Sequence, residues 1–279
     1  MSELVLTLQC PDRPGIVHAI SGAIVEAGGN ITELQQFSSP DTGEFFTRIQ
    51  LDGPDEESLA RKVAEATGGF GAHFQVHEAG TPTRTLILAS KAGHCVNDLL
   101  FRWRGGELPI DVRGILANHD VLAPMADFYD VAFEHRFVDA ETKPAFEAEV
   151  RRIVEEQDIE LVVLARYMQI LSPELCEFLA GRAINIHHSF LPGFKGANPY
   201  RQAHTRGVKL IGATAHFVTG DLDEGPIIEQ NVVRVDHTMS VAKLVRKGQA
   251  QESQTLAEAV RLFAEHRVLA DAHRTVIFR

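Results

Sequence analysis

The rhythm of hydrophobic and polar positions changes once along this chain, and the change marks a boundary. Leu4 to Gln9 alternates apolar and polar residues, which predicts a strand buried on one face. Pro11-Asp12-Arg13-Pro14-Gly15 predicts a turn, with Asp12 placed to cap the next helix and Pro14 suited to its first turn. Ile16, Ile20, Ala23, Ile24 and Ala27 recur at helical spacing, and Gly28-Gly29-Asn30 ends that helix. Ile31 to Ser38 and Glu44 to Leu51 predict two strands around a turn at Ser39 to Gly43. Glu56 to Thr67 predicts a second helix, broken by Gly68-Gly69, and Ala72 to His77 a fourth strand. The order strand-helix-strand-strand-helix-strand is the ferredoxin-like split βαβ pattern.

Past a polar linker, Ala79 to Thr83, the rhythm is different. Thr85 to Ser90 is one continuous apolar run, as in a parallel strand covered on both faces. Further strands are predicted at Ile110 to Ala117, Val131 to Phe137, Ile159 to Ala165, Ile211 to Thr219 and Ile227 to Val235, with one more starting at Ala183. Helical segments lie between them, most plainly Asn97 to Trp103 and Pro144 to Glu156. Strands alternating with helices predict a doubly wound, Rossmann-like α/β domain. Val241, Leu244, Val245, Leu256, Val260 and Phe263 line one face of a long final helix, with a break expected near Gly248. Thr275 to Phe278 is read as an added edge strand. The expected division is a small domain over residues 1–80 and a larger one over 84–279.

Composition narrows the function classes. The 279 residues suit two domains, and 44% hydrophobic with 23% charged residues is ordinary for a globular protein. A formal charge of −11 argues against nucleic acid or an anionic membrane as partner. Cys10, Cys95 and Cys176 are scattered and odd in number, which points to a reducing cytoplasm rather than a disulfide framework. Met1 leads straight into the first strand, so no signal peptide is expected, and no run approaches the roughly 20 apolar residues of a membrane span.

The chemistry gathers in two segments. Ala183-Ile184-Asn185-Ile186-His187-His188-Ser189 reads as a buried strand ending in a polar turn, the place where open α/β sheets keep ligands. Gly212 to Pro226 follows with Thr214, His216 and Asp223 in a strand and turn of its own. On adjacent strands the two would bring an amide, an imidazole and a carboxylate to one cleft. That trio suits attack on a carbonyl: Asn185 to hold the oxygen as charge develops, His187 to carry the proton, Asp223 to orient water and favour the charged imidazole. The competing reading is a metal site built from His187, His188, His216 and Asp223. It ranks lower, because there is no His-x-x-x-His pair and a carbonyl-polarising role explains the asparagine better.

Two resemblances add to this. Asp12-Arg13-Pro14-Gly15-Ile16-Val17 followed by Gly28-Gly29-Asn30-Ile31 resembles the ACT domain, a small regulatory module. It implies an amino-acid effector near Asp12, Arg13, Gly15 and Asn30, with glycine or methionine as the candidates, and a homo-oligomer. Asn185 to Pro192 and His216 to Pro226 resemble the two signatures of the folate-dependent formyltransferases, from about Arg84 onward. The resemblance implies that Asn185, His187 and Asp223 are catalytic, with His216 beside them. It places folate against Met168, Gln169, Ile170 and Leu171 on one side and Val218, Thr219 and Gly220 on the other, with no metal or nucleotide cofactor. Gly220 stands where relatives often carry an acidic residue.

The fusion of both modules, and the wording Ser189-Phe190-Leu191-Pro192-Gly193-Phe194-Lys195-Gly196, resemble the formyltetrahydrofolate deformylase family in particular. That implies hydrolysis of 10-formyltetrahydrofolate, supplying formate and balancing one-carbon pools for purine synthesis. The turn after the first strand of the large domain holds His94 and Cys95, bulky where close approach of an acceptor's phosphate favours glycine, so water is the expected acceptor. The alternative is a folate-dependent transferase with another acceptor, and an inactive sensor or a formyl-sugar transferase stand behind it.

Overall fold

A computed structural model describes residues 3–193 and 199–279. The chain divides into two compact units, one of residues 1–81 with 265–279 and one of residues 82–264.

The first unit contains β1 (Glu3–Pro11), α1 (Ile16–Glu26), β2 (Asn30–Ser38), β3 (Glu44–Asp52), α2 (Glu56–Thr67) and β4 (His73–Glu78). The strands form an antiparallel sheet in the order β2-β3-β1-β4, as the split βαβ pattern requires. Its core joins Leu4, Leu6 and Leu8 to Ile16, Ile20 and Ile24 and to Leu59 and Val63. Each such side chain taken out of water contributes roughly 1.5–3 kcal/mol. The Asp12 cap is corrected: Gly15, at φ 100°, caps α1, and no side chain bonds the helix start. Asp55 does cap α2, accepting from the Ser58 amide at 2.8 Å.

The second unit holds β5 (Thr83–Ala89), α3 (His94–Arg104), β6 (Ile110–Ala117), α4 (Ala123–Phe128), β7 (Phe133–His135) and α5 (Lys143–Glu156). It continues through β8 (Leu161–Ala165), α6 (Pro173–Phe178), β9 (Ala183–His187), α7 (Pro199–Arg206), β10 (Leu210–Phe217), β11 (Ile227–Arg234) and α8 (Val241–Ala264). The sheet order is β11-β10-β9-β8-β5-β6-β7. From β7 to β9 the strands are parallel; β10 alone runs against them, and β11, antiparallel to β10, returns to their direction. Leu86, Ile87, Leu88 and Ala89 of the central β5 are fully buried, which explains their unbroken apolar run. The chain builds outward from β5 on one side and then returns to place β8 on the other. That reversal is where α/β sheets open a crevice at the carboxyl ends of their strands.

Three sequence expectations change. The strand expected over Val131 to Phe137 is only three residues long, because Glu134 and His135 leave it as a short charged edge. The helix expected from Asn97 starts at His94. Gly248 does not break α8. A Cβ there would lie 2.1 Å from the Tyr200 hydroxyl, so the glycine makes room for a tyrosine ring against an unbroken helix.

The tail is the largest departure. β12 (Val268–Asp271) and β13 (Arg274–Ile277) pair with each other as a separate hairpin rather than extending the large sheet. Residues 265–279 group with the first unit, not with 84–264. Ser39 and Thr42 donate to the Asp271 carboxylate at 2.9 and 2.7 Å, and Arg267 pairs with Glu33 at 3.4 Å.

Candidate active site

Asn185 and His187 are two residues apart on β9, so both project from one face, while Ile184 and Ile186 are buried on the other. Antiparallel register sets His216 of β10 directly opposite Asn185, and Thr214 opposite His187. Thr214 donates to the Ser189 carbonyl at 3.0 Å and accepts from the Leu191 amide at 3.0 Å, which ties down the loop leaving β9. The Phe194-Lys195-Gly196 end of that motif lies outside the described residues.

Asp223 arrives on the turn between β10 and β11. The turn closes tightly, with the Phe217 amide donating to the Pro226 carbonyl at 2.9 Å. A Cβ on Gly225 would fall 1.8 Å from the Phe217 oxygen, so only glycine fits. Asp223 itself has φ 58°, a left-handed conformation that aspartate adopts at some cost. In it, the carboxylate Oδ1 lies 3.1 Å from His187 Nδ1 and 3.8 Å from His216 Nε2.

The hydrogen bonds define the protonation pattern. His216 Nδ1 lies 2.8 Å from the Phe217 carbonyl, which can only accept, so Nδ1 carries the proton. Its Nε2 is then free to accept from the Asn185 amide nitrogen at 3.2 Å. Burial lowers the pKa of His216, in keeping with this neutral form. The Asn185 amide is thereby held in one orientation, with a second N–H left over. Asp223 is lowered first by its hydrogen bond from His187, against the opposing effect of burial, and stays ionised. His187 is buried, and its Nε2 has no hydrogen-bond partner among the described residues. A buried imidazole nitrogen without a partner, beside an amide with a spare donor, is an arrangement made to act on something else.

These groups line a cleft of about 260 Å³. Met168, Gln169, Ile170 and Leu171 form one wall, and Val218, Thr219 and Gly220 the other. The Met168 amide is already spent on Ser90 Oγ at 3.1 Å, which leaves the next residues of the loop to offer backbone groups. The residues proposed for an effector are not brought together in the same way. Asp12, Arg13 and Gly15 precede α1 and Asn30 follows it, across roughly 16 Å of helix at 1.5 Å per residue. Arg13 bonds the Gly69 carbonyl and lies over the Phe70 ring, 4.4 Å from its centre.

Comparison with known proteins shows what this arrangement belongs to. The formyl transferase family model matches residues 83–260, and the ACT domain model matches residues 4–68. A formyltetrahydrofolate deformylase from Corynebacterium sp. (strain P-1) is 46% identical over 279 residues, covering 99% of this chain and 98% of that protein. The chain belongs to the formyltetrahydrofolate deformylase family. The crystal structure of a deformylase from Burkholderia mallei superposes with a TM-score of 0.96 at 47% identity, covering all of both chains. A glycinamide ribonucleotide transformylase from Symbiobacterium toebii matches with a TM-score of 0.67 at 33% identity, over 74% of this chain and 97% of its own.

In this deformylase-family chain a second cluster sits beside the first, and sequence reasoning missed it. Glu252 of α8 is 1% exposed. It accepts from His94 Nε2 at 2.7 Å and from the Tyr200 hydroxyl, and it pairs with Arg166 Nε at 3.4 Å. Burial alone would raise its carboxyl, but the His94 hydrogen bond, the Arg166 charge and the Tyr200 hydroxyl outweigh it and hold the pKa below the usual range. The signal was present: Leu244, Gly248, Glu252, Leu256 and Val260 recur every fourth residue, so Glu252 lies on the buried stripe of its helix.

The metal reading of His187, His188, His216 and Asp223 is not supported by their geometry, since these ligand atoms do not form a close group. Among the described residues, the one group of three such side chains with ligand atoms within 4.8 Å is His94, Cys95 and Glu252. There Arg166 already balances the Glu252 carboxylate, and burial pushes the Cys95 thiol up.

Proposed function

We propose that this chain hydrolyses 10-formyltetrahydrofolate to tetrahydrofolate and formate, with Asn185, His187 and Asp223 acting on the formyl group. The observation that carries this is the trio itself: His187 is tied through Nδ1 to Asp223 at 3.1 Å while its Nε2 has no partner among the described residues, on the strand face that also carries the oriented Asn185 amide. The pterin ring enters the cleft between the Gln169–Leu171 loop and the Val218–Gly220 turn, which brings the formyl carbon over the end of β9.

Water, held by Oδ2 of Asp223, adds to the formyl carbon as His187 Nε2 takes its proton. The imidazolium formed is balanced by the adjacent carboxylate, the logic of a hydrolytic triad. The spare N–H of Asn185 holds the tetrahedral oxyanion. His187 then gives the proton to N10, the C–N bond breaks, and tetrahydrofolate and formic acid form, the acid ionising to formate. These three side chains supply the acid, the base and the oxyanion donor, so no metal or nucleotide enters the scheme. The test is incubation with 10-formyltetrahydrofolate and no acceptor. Formate and tetrahydrofolate should appear one to one. Substrate that stays formylated until an amine is added would overturn the proposal.

The ACT match supports a small-molecule effector, and we extend this to glycine or methionine bound near Asp12, Arg13, Gly15 or Asn30 of a homo-oligomer. Titrating each amino acid into the formate assay tests it. We extend the reading to a cytoplasmic enzyme whose formate feeds purine synthesis; the three cysteines, all free and buried, support a reducing compartment.

A further inference from the structure

Hydrolysis makes an anion where there was none. Formate forms beside the Asp223 carboxylate, which is ionised and repels it. Folate fills the cleft, so formate cannot leave along the pterin walls before tetrahydrofolate does. Among the described residues lining the cleft, Arg166 is the one arginine or lysine.

Arg166 follows β8 with φ 61°, a left-handed conformation that marks a side chain held in a set direction. Its side chain is 17% exposed, although its Nε is buried. It also lines a second cavity of about 470 Å³, together with His94, Tyr200, Gln249 and Glu252. Met168 and His188 border both cavities. The guanidinium thus stands on the wall shared by the folate cleft and the space behind it. His188 does not compete as a cation, because burial, with Arg166 next, lowers its pKa to about 4.

We infer that Arg166 is the receiving site for the formate product, a subsite for a small carboxylate through which the anion passes from the cleft to the second cavity. This rests on the hydrolytic reading above. Glu252 is its regulator by charge. It engages only the Nε side, at 3.4 Å and without a hydrogen bond, and leaves the terminal nitrogens of the guanidinium to the ligand. Tyr200, seated against Gly248, and His94 hold Glu252 in that position. An arginine already half-neutralised binds formate weakly enough to release it.

The experiment measures binding of ¹³C-formate to the full-length protein, in the presence and absence of tetrahydrofolate, for wild type and three variants. Arg166→Gln should weaken formate binding by roughly tenfold or more, the loss of a charge-assisted hydrogen bond, and weaken formate far more than tetrahydrofolate. Arg166→Lys should keep most of the affinity, and Glu252→Gln should tighten it and slow formate release. These opposite signs separate a binding role from general damage. Formate binding equally well to Arg166→Gln would overturn the inference while leaving hydrolysis intact. So would a fall in folate affinity in Arg166→Gln that disappears with a folate lacking its glutamate, since Arg166 would then hold the folate tail. A wild type that makes no formate from 10-formyltetrahydrofolate would sink the hydrolytic reading instead.

Discussion

Two carboxylates in the larger unit are each paired with an imidazole, and they are built for opposite ends. Asp223 sits on a turn, its side chain 16% exposed, at a left-handed φ of 58°. It spends one oxygen on His187, and the far nitrogen of that ring has no partner among the described residues. Glu252 sits mid-helix, 1% exposed, with His94, Tyr200 and Arg166 all directed at it. One pair keeps valences free and bears local strain. The other closes its valences and bears none that the backbone shows. The kind of residue does not tell which carboxylate does chemistry; the hydrogen-bond count around it does.

Substitutions can break this contrast. The largest effect is expected from Asp223→Asn. Asparagine tolerates the left-handed backbone, so the turn should persist and folate should still bind, while single-turnover formate release falls by about 10³–10⁴, the loss seen when the carboxylate that orients a catalytic histidine becomes an amide. Asn185→Ala removes one oxyanion donor and should lower turnover by about 10²–10³ with little change in KM. Activity near wild type would strip Asn185 of that role.

Gly248→Ala probes the other cluster. It forces the Tyr200 ring away, and overpacking of this kind costs about 1–3 kcal/mol, a melting point lower by roughly 2–10 °C. An unchanged melting curve would show that Tyr200 is not seated there. The smallest effect concerns pH. His188 has a folded pKa of about 4 against an ordinary 6.5, from burial and then from Arg166, with His187, Glu252 and Asp223 also facing it. Between those values the unfolded chain binds a proton that the folded chain does not, so stability falls as pH drops through that window. His188→Gln should flatten the fall in melting temperature between pH 6.5 and 4. The flattening is partial, because His266, lowered to about 3 chiefly by burial, has the same sign and remains. Asp223 acts lower: its contribution is present above 3.8 and is lost only as pH falls further.

How much of this could be read from the chain follows from range. The alternation of Asn185 and His187 with Ile184 and Ile186 is a local pattern, and it revealed both the strand and the reacting face. The pairing of Asn185 with His216 depends on register between two strands, yet both segments carried enough polar residues to be matched. Glu252 lay in plain view on a four-residue ladder, but Gly248 in the same ladder reads as a breaker unless Tyr200 is known to press on it. Arg166 carries no local sign of its position between two cavities. The tail failed for a similar reason. Thr275 to Phe278 looks like a strand and forms one, but its place is set by bonds from Asp271 and Arg267 to residues more than 200 positions earlier.

A single turnover in ¹⁸O-enriched water, with excess enzyme, 10-formyltetrahydrofolate and no amine, addresses the chemistry at the trio most directly. Every formyl group should leave as formate carrying one solvent oxygen, in step with tetrahydrofolate release. Formate without the label, or a formyl group that waits for an amine, would mean that water is not the nucleophile held by Asp223 and His187.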